Sequence, residues 1–441
     1  MRMKKYTEYK DSGIEWIGEI PDYWNISKAK YHVLSTDGGI WGDDPVGDDS
    51  DIIVLRSTEQ SVDGKWQLYE PATRCLHNCR NVDSFFLDEN DLLMTKSSGS
   101  ELHIGKTTLV TREIASMSCC YSNFTQRIRI FSKDSAKYFW YIFNSSLARE
   151  QFVFLQNSTS GLGNINADNI KNIWVPDISL AEQERIVYYL DRKTAAIDAL
   201  IADKQKLIEL LMEKRITVIS QAVMKGLEPA VPMKDSGTEW IGEIPTHWDV
   251  LSNHQLFVER NQKNTDANAE LLSVTKYLGV ILQSRAEELR LATIAPADSS
   301  EGYKIVKKGD LVMNIMRAKD GSYGISSYDG VISPAYCIYQ ARKKSNTQFL
   351  YYLFKTPKYV QIFKCYSTGI AEHRMRLYPE DFNQIPAILP PIAEQDEIVK
   401  KLDAESKQID KVIALIEQQI EKLKEYRRSI ISEVVTGKVV V

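Results

Sequence analysis

The sequence predicts an α+β protein: two domains of mixed sheet and helix, separated by two long helices that form an antiparallel coiled coil with pseudo-two-fold symmetry. Three observations lead to this fold class. A 14-residue segment and a helix start each occur twice, heptad-spaced apolar residues follow each helix start, and short apolar runs fill the intervening regions. At 441 residues the chain is also longer than one hydrophobic core usually serves.

The chain is a tandem duplication. Asp11–Trp24 returns as Asp235–Trp248 with eleven of fourteen positions identical, and Ala181–Val187 returns as Ala393–Val399. Each copy runs from a globular region into a helix. The segments between the matched ends differ almost completely. This indicates two modules that share a structural framework but bind different targets. The predicted boundaries are a first globular domain at 1–180, a first long helix at 181–227, a second globular domain at 228–390 and a second long helix at 391–441.

The long helices carry a heptad seam, because apolar or long side chains recur in alternating steps of four and three. In the second helix these positions are Ile409, Ile413, Ile416, Ile420, Leu423, Arg427, Ile430 and Val434. In the first helix they are Ile197, Ile201, Lys204, Ile208, Leu211, Arg215 and Val218. About 45 residues at about 1.5 Å each give a rod of about 65 Å, which needs a partner in water. The two helices of one chain are expected to pair with each other.

The globular regions are predicted to be rich in β-structure with some helix. Asp51–Leu55 and Thr107–Val110 have the composition of short strands, and Lys137–Phe143 and Phe349–Phe354 are predicted to be helices packed on the sheets. Their aromatic residues are interpreted as core side chains rather than as platforms for stacking bases.

Three features of these regions are candidates for contact with DNA. Two glycine-containing polar loops follow equivalent strands, a second pair of polar loops precedes the long helices, and alternating arginines lie on one strand. Their donors suit phosphate oxygens and base edges, although ordinary surface chemistry is the alternative for each residue. The candidate residues are Lys96, Ser97, Ser98, Ser100, Arg127, Ser160, Asn164, Arg317, Lys319, Ser322, Tyr323, Thr368, His373, Arg374 and Arg376.

Catalytic and metal motifs are tested and rejected. Gly99–Thr107 has five residues between its glycines where a P-loop has four, and a strand rather than a helix is predicted to follow. Ser333–Tyr336 lacks the second proline of an amino-group DNA methyltransferase motif, and no glycine-rich turn for S-adenosylmethionine accompanies it. Cys75 and Cys79 have no second ligand pair at zinc-finger spacing, so no metal is expected.

Charge and hydropathy limit the class of protein. The net charge of −4 leaves a local basic surface possible, and the acidic stretch Asp43–Asp51 is interpreted as a solvated loop facing away from nucleic acid. No signal peptide or membrane-length apolar run is evident, so a cytoplasmic protein is expected.

The doubled motif order resembles the specificity subunit of type I restriction–modification enzymes. A Trp-Ile-Gly-Glu-Ile-Pro-x-x-Trp lead-in, a variable region and a proline-preceded Glu-Gln-x-x-Ile helix start all occur twice, over essentially the whole chain. The resemblance implies two target-recognition domains, each of which reads one half of a split, asymmetric site in double-stranded DNA. It also implies helices that set the gap between half-sites and dock two DNA methyltransferase (modification) subunits, joined by restriction subunits in defence against foreign DNA.

The resemblance further implies that this chain is not itself an enzyme and binds no cofactor. The partner subunits would carry S-adenosylmethionine, ATP and Mg, and the complex would methylate adenine or cut DNA. The main rival is a structural coiled-coil adaptor that binds proteins through two globular ends. A self-sufficient methyltransferase or nuclease is disfavoured by the failed motifs.

Overall fold

The structure is a computed structural model that describes residues 5–100, 102–155, 157–159, 162–266, 268–291, 300–342, 345–370 and 374–441. The chain divides into two compact units. Unit 1 consists of Met1–Lys204 together with Gln418–Val441, and unit 2 consists of Gln205–Glu417. Each long helix therefore contributes one part to each unit.

In its described residues, unit 1 contains fourteen short strands, four short α-helices and one part of each long helix. The strands are β1 (Tyr9–Asp11), β2 (Glu19–Pro21), β3 (Asn25–Lys28), β4 (Val33–Gly38), β5 (Asp51–Leu55), β6 (Ala72–Cys75), β7 (Leu92–Thr95), β8 (Ser97–Ser98), β9 (Thr107–Leu109), β10 (Cys120–Tyr121), β11 (Thr125–Ile130), β12 (Asn157–Thr159), β13 (Leu162–Asn164) and β14 (Trp174–Asp177). The helices are α1 (Arg112–Ser116), α2 (Ala136–Asn144), α3 (Ser146–Leu155), α4 (Ala167–Asn172) and α5 (Leu180–Lys225).

The core of unit 1 lies between helix α2 and a four-stranded antiparallel sheet with the order β4-β11-β7-β9. Ser135 caps α2 by accepting from the Tyr138 N–H, and Tyr138 and Phe139 of that helix are fully buried. These aromatics are core side chains, as predicted. Strand β7 is central, and all four of its residues are buried.

In its described residues, unit 2 contains twelve strands, five short α-helices and the other part of each long helix. The strands are β15 (Met233–Asp235), β16 (Glu243–Pro245), β17 (Asp249–Ser252), β18 (Phe257–Glu259), β19 (Leu272–Thr275), β20 (Gly279–Leu282), β21 (Lys304–Val306), β22 (Leu311–Asn314), β23 (Tyr323–Ile325), β24 (Gly330–Ile332), β25 (Tyr336–Ala341) and β26 (Pro386–Leu389). The helices are α6 (Asn253–Leu256), α7 (Gln283–Glu288), α8 (Thr347–Phe354), α9 (Pro357–Tyr366), α10 (Pro379–Gln384) and α11 (Ile392–Val435).

Unit 2 repeats the core arrangement of unit 1 with different side chains. Its four-stranded antiparallel sheet has the order β18-β25-β22-β23, so β22 occupies the place of β7 and is buried along its whole length. Helix α8 packs on this sheet through Phe349, Leu350 and Leu353. The duplication seen in the sequence is therefore a duplication of a sheet-and-helix framework.

The long helices pair in antiparallel fashion within each unit. In unit 1, Asp198 of α5 forms an ion pair with Arg427 of α11, while Lys204 Nζ lies 2.5 Å from Gln419 Oε1. As the residue number rises along α5 from 198 to 204, the number of the contacted residue in α11 falls from 427 to 419, so the two helices run antiparallel. In unit 2, Arg215 of α5 forms an ion pair with Asp410 of α11.

The repeated sequence motifs fix the start of each long helix. Gln183 and Gln395 are fully buried, and their side-chain oxygens accept the backbone N–H of Ser135 and Asn346, which cap α2 and α8. Each glutamine thereby joins a long helix to the helix that covers the central sheet. The duplicated Glu-Gln sequence is a structural joint, which explains why it occurs twice while the intervening residues differ.

Candidate nucleic-acid interface

In unit 2 the central strand β22 ends in a tight turn that carries Arg317. The Asn314 side chain accepts the Met316 N–H at 3.0 Å, and the Ser322 N–H donates to the Arg317 carbonyl at 3.1 Å. Gly321 closes the turn at φ +86°, a conformation that favours glycine. The backbone of the turn is satisfied internally, and the Arg317 side chain is exposed.

This turn is held from beneath by a half-buried lysine. Lys355 Nζ donates to the Gly321 carbonyl at 2.6 Å and to the Lys276 carbonyl at 3.1 Å, and burial lowers the pKa of Lys355 to about 8. Lys319, Ser322 and Tyr323, all candidate residues, are buried here. The Tyr323 hydroxyl donates to Phe354 O at 2.6 Å. These three residues position the turn rather than form its outer surface.

The second predicted loop of unit 2 packs directly against the first. Thr368 and Arg376 exchange backbone hydrogen bonds of 2.9 Å, and the Leu377 N–H donates to the Ile315 carbonyl at 2.9 Å. Gly369 crosses this hairpin so closely that an added Cβ would lie 2.7 Å from the Arg374 carbonyl oxygen. The structure therefore brings the two loops together.

The outer surface of this site is formed by four of the candidate residues, which are exposed: Arg317, Thr368, Arg374 and Arg376. His373, also a candidate, lies outside the described residues. The turn between β19 and β20 adds Tyr277, whose side chain is 82% exposed. This tyrosine follows Lys276, whose backbone carbonyl accepts a hydrogen bond from Lys355 Nζ. Sequence reasoning missed Tyr277. Its only local signal was a Lys-Tyr-Leu-Gly turn between two apolar runs.

In unit 1 the equivalent loops also converge. The Ile165 N–H donates to the Lys96 carbonyl at 2.8 Å, and β8 pairs with β13 in a small antiparallel sheet. The Ser97 hydroxyl donates to Asn164 Oδ1 at 3.0 Å, while Ser98 Oγ accepts the Ser100 N–H at 3.2 Å. Five candidate residues thus share one edge, and Ser160 lies outside the described residues.

The electrostatic character of the unit 1 edge differs from that of unit 2. Lys96 is its cation, and desolvation by burial lowers the pKa of Lys96 below its ordinary value. The remaining candidate groups on this edge are hydroxyls and one amide, which hydrogen-bond without carrying charge.

The alternating arginines of β11 are bound inside unit 1. Arg127 is buried and donates to the Phe86 carbonyl at 2.8 Å and to Asp37 at 3.1 Å. Arg129 donates to Asp91 at 2.8 Å, and hydrogen bonds with this carboxylate raise the pKa of Arg129. A contact between Arg127 and DNA stays a prediction, and it would require these donors to leave their internal acceptors.

The acidic loop of unit 1 uses its carboxylates locally. Asp51 accepts the backbone N–H groups of Val46 and Gly47, and Arg74 binds Asp44 at 2.7 Å.

Within the described part of the chain, no group of three or more His, Cys, Asp or Glu side chains is placed to hold a metal ion. No helix in the same part of the chain is long and apolar enough to cross a membrane.

Comparison with known proteins gives one consistent family. The family model of the type I restriction modification DNA specificity domain matches residues 247–425. The putative type I restriction enzyme MjaX specificity subunit of Methanocaldococcus jannaschii is 24% identical over 307 residues, 68% of each chain. The type I restriction enzyme MjaVIII specificity subunit of the same organism is 23% identical over 367 residues, 80% of each chain.

A solved structure concerned with complex assembly and conformational transition of the type I R-M system contains a chain of similar fold. The TM-score is 0.66 at 15% sequence identity, and the match covers 95% of this chain and 99% of that one. This likeness confirms the predicted α+β class with long helices.

Proposed function

Because this chain belongs to the specificity subunits of type I restriction–modification systems, we propose that each unit reads one half of a bipartite, asymmetric DNA site. The chain itself is the non-catalytic DNA-recognition subunit. A structural adaptor that binds only proteins is not favoured by these relatives.

One observation carries the division into half-sites. In both units a loop that follows the equivalent central strand converges with a loop that precedes the long helix, at Lys96–Ile165 and at Ile315–Leu377. The frameworks match while the exposed side chains differ. Two domains that read different DNA sequences are expected to have this combination, because the framework positions the loops on DNA and the exposed side chains determine which bases are recognised.

The partners follow from the family and from exposed apolar side chains on the long helices. Leu207, Leu210, Val412 and Leu415, all in unit 2, are exposed and lie outside the heptad seam. We assign this face to the docking of modification subunits, two of which would join the complex, with restriction subunits added for cleavage. S-adenosylmethionine, ATP and Mg would be bound by those partners, and the assembled complex would methylate adenine or cut DNA.

The paired helices are proposed to set the distance between half-sites. An insertion of four residues into α5, about one turn or 6 Å, is expected to lengthen the tolerated spacer and leave both half-sites unchanged. The methylated motif of the insertion variant gives the answer. A changed half-site with an unchanged spacer would contradict the proposal.

The central test is long-read sequencing for methyladenine. DNA is taken from cells that express this chain with its neighbouring modification subunit and from cells that lack only this chain. A split, asymmetric motif that appears only with this chain supports the proposal. Methylation that is absent, or that does not depend on this chain, contradicts it.

A further inference from the structure

The two candidate surfaces differ in the one group that most often recognises guanine. Unit 2 presents three exposed arginines, Arg317, Arg374 and Arg376, on its two converging loops. The corresponding described segments of unit 1, residues 96–100 and 162–165, contain no arginine. They present serine hydroxyls, the Asn164 amide and the Lys96 amine instead.

The three arginines form no side-chain hydrogen bond or ion pair with any residue in the described ranges. Other arginines of unit 2 behave differently: Arg260 binds the buried carboxylate of Asp310 at 2.8 Å, and Arg285 binds Glu288 at 2.7 Å. A guanidinium has five N–H donors in a planar fork. Three such forks on one surface are available to acceptors from outside the unit.

The described backbone that carries these arginines is held by contacts within unit 2. The Arg317 turn is closed by its own hydrogen bonds and held by Lys355, and Gly369 locks the hairpin of Arg374 and Arg376 by close packing. A backbone held in this way lowers the entropy lost on binding, and it keeps the Cα atom of each arginine in a defined position. This geometry suits recognition of base edges, which requires direction, more than diffuse attraction to phosphate.

We propose that unit 2 reads a guanine-containing half-site through Arg317, Arg374 and Arg376, whereas the two converging loops of unit 1 read their half-site without arginine. The inference rests on the proposed function. Guanine offers O6 and N7 as paired acceptors in the major groove, which match the guanidinium fork, and asparagine matches adenine in the same way. In unit 1 the Ser97 hydroxyl orients Asn164 by donating to its Oδ1, a geometry suited to adenine.

The first experiment compares methylated motifs from cells that express the full chain with the modification subunit. Arg317→Gln, Arg374→Gln and Arg376→Gln are each compared with Arg285→Gln, a matched control whose guanidinium is already paired. The inference predicts that the surface variants relax guanine positions in one half-site only and that the control leaves the motif unchanged. A wild-type motif in which neither half-site contains guanine, or surface variants that all leave the motif unaltered, would overturn it.

The second experiment separates base reading from phosphate binding. A fluorescent duplex that carries the identified motif is titrated with the purified complex of this chain and the modification subunit. 7-Deazaguanine, which lacks N7, replaces each guanine of the affected half-site in turn. The expected loss is about ten- to a hundredfold in affinity for wild type and much less in the matching arginine variant.

The outcomes are distinguishable from failure of the proposed function. If the arginine variants weaken all duplexes equally and lower the salt slope by about 1 each, the arginines bind phosphate and the guanine inference is wrong, although the chain still binds DNA. If wild type shows no motif and no DNA affinity, the proposed function itself fails. Unfolding temperatures equal to wild type show that the variants are folded.

Discussion

The pseudo-equivalent ion pairs of the long helices offer a stability test with its control inside the same chain. Asp198 and Arg427 pair in unit 1, and Asp410 and Arg215 pair in unit 2. The residue types are the same and come from matching positions of the duplicated helix. Their burial differs: Arg427 is 8% exposed and Asp198 29%, whereas Arg215 is 30% exposed and Asp410 63%.

The free energy of unfolding should follow this difference in burial. Asp198→Ala leaves the buried Arg427 guanidinium with only the longer contact to Asp63, at 3.9 Å, and also removes the partner of Lys65, which lies 2.6 Å away. Since a poorly compensated buried charge is costly, we expect a loss of about 2 to 3 kcal/mol. Asp410→Ala removes a partner that water replaces, so the expected loss is within about 0.5 kcal/mol.

Urea unfolding combined with hydrogen-exchange mass spectrometry measures the two losses, because peptides from α5 and α11 report each unit separately. The double variant Asp198→Leu/Arg427→Met should recover most of the loss, since it removes the isolated charge and fills the space. Equal costs for Asp198→Ala and Asp410→Ala would refute the reasoning from burial.

Three further predictions concern unit 2. Gln395→Ala leaves the Asn346 N–H, which the glutamine accepts at 2.8 Å, without its acceptor, and should lower the free energy of unfolding by about 2 kcal/mol in urea titrations, whereas the exposed Gln408→Ala should leave it unchanged. Gly369→Ala should weaken DNA binding in fluorescence anisotropy and lower the melting temperature, because its Cβ would lie 2.7 Å from the Arg374 carbonyl oxygen and the backbone there would have to shift; wild-type affinity would contradict this. Burial lowers the pKa of Lys355 from 10.5 to about 8, so the unfolded chain holds this proton to higher pH and the lysine's contribution to stability rises between about pH 8 and 10.5. Lys355→Met should remove that rise, at most on the order of 3 kcal/mol, in unfolding experiments across this pH range, and a variant with the wild-type slope would show that the lysine is not its source.

The parts of the fold that could be predicted are those encoded by local or repeated patterns. The heptad spacing of Ile413, Ile416 and Ile420 identifies a helix from one stretch of sequence, and the structure has α11 across it. Asp51–Leu55 is a strand as predicted, because a short apolar run between turn residues has few alternatives. The repeated motifs indicated a repeated framework, because in both copies the motif glutamine must connect the long helix to the helix that covers the central sheet.

The candidate surface could be predicted only in part, since its shape depends on contacts between residues distant in sequence. Polar loop composition marked Arg317 and Tyr323 alike, yet the Tyr323 ring packs in the core beside Phe363 while its hydroxyl donates to the Phe354 carbonyl. Arg127 alternates with Arg129 as on an exposed strand, but Asp37 and the Phe86 carbonyl take up its donors. Nothing local in the sequence distinguishes a loop arginine that is exposed from one that finds an internal carboxylate.

Unit 1 is built from two separate segments of the chain, and this affects how it can fold during protein synthesis. Its core includes Ile430, Val434 and Val439 from the last part of the chain, and Lys438 Nζ donates to the Ile17 carbonyl at 3.0 Å. The ribosome makes all of Gln205–Glu417, which is unit 2, before it reaches these residues. Unit 2 therefore has its whole sequence available first, while the domain translated earliest must wait for its final segment. A nonsense mutation near codon 425 should damage the N-terminal domain more than the domain that lies next to it in sequence.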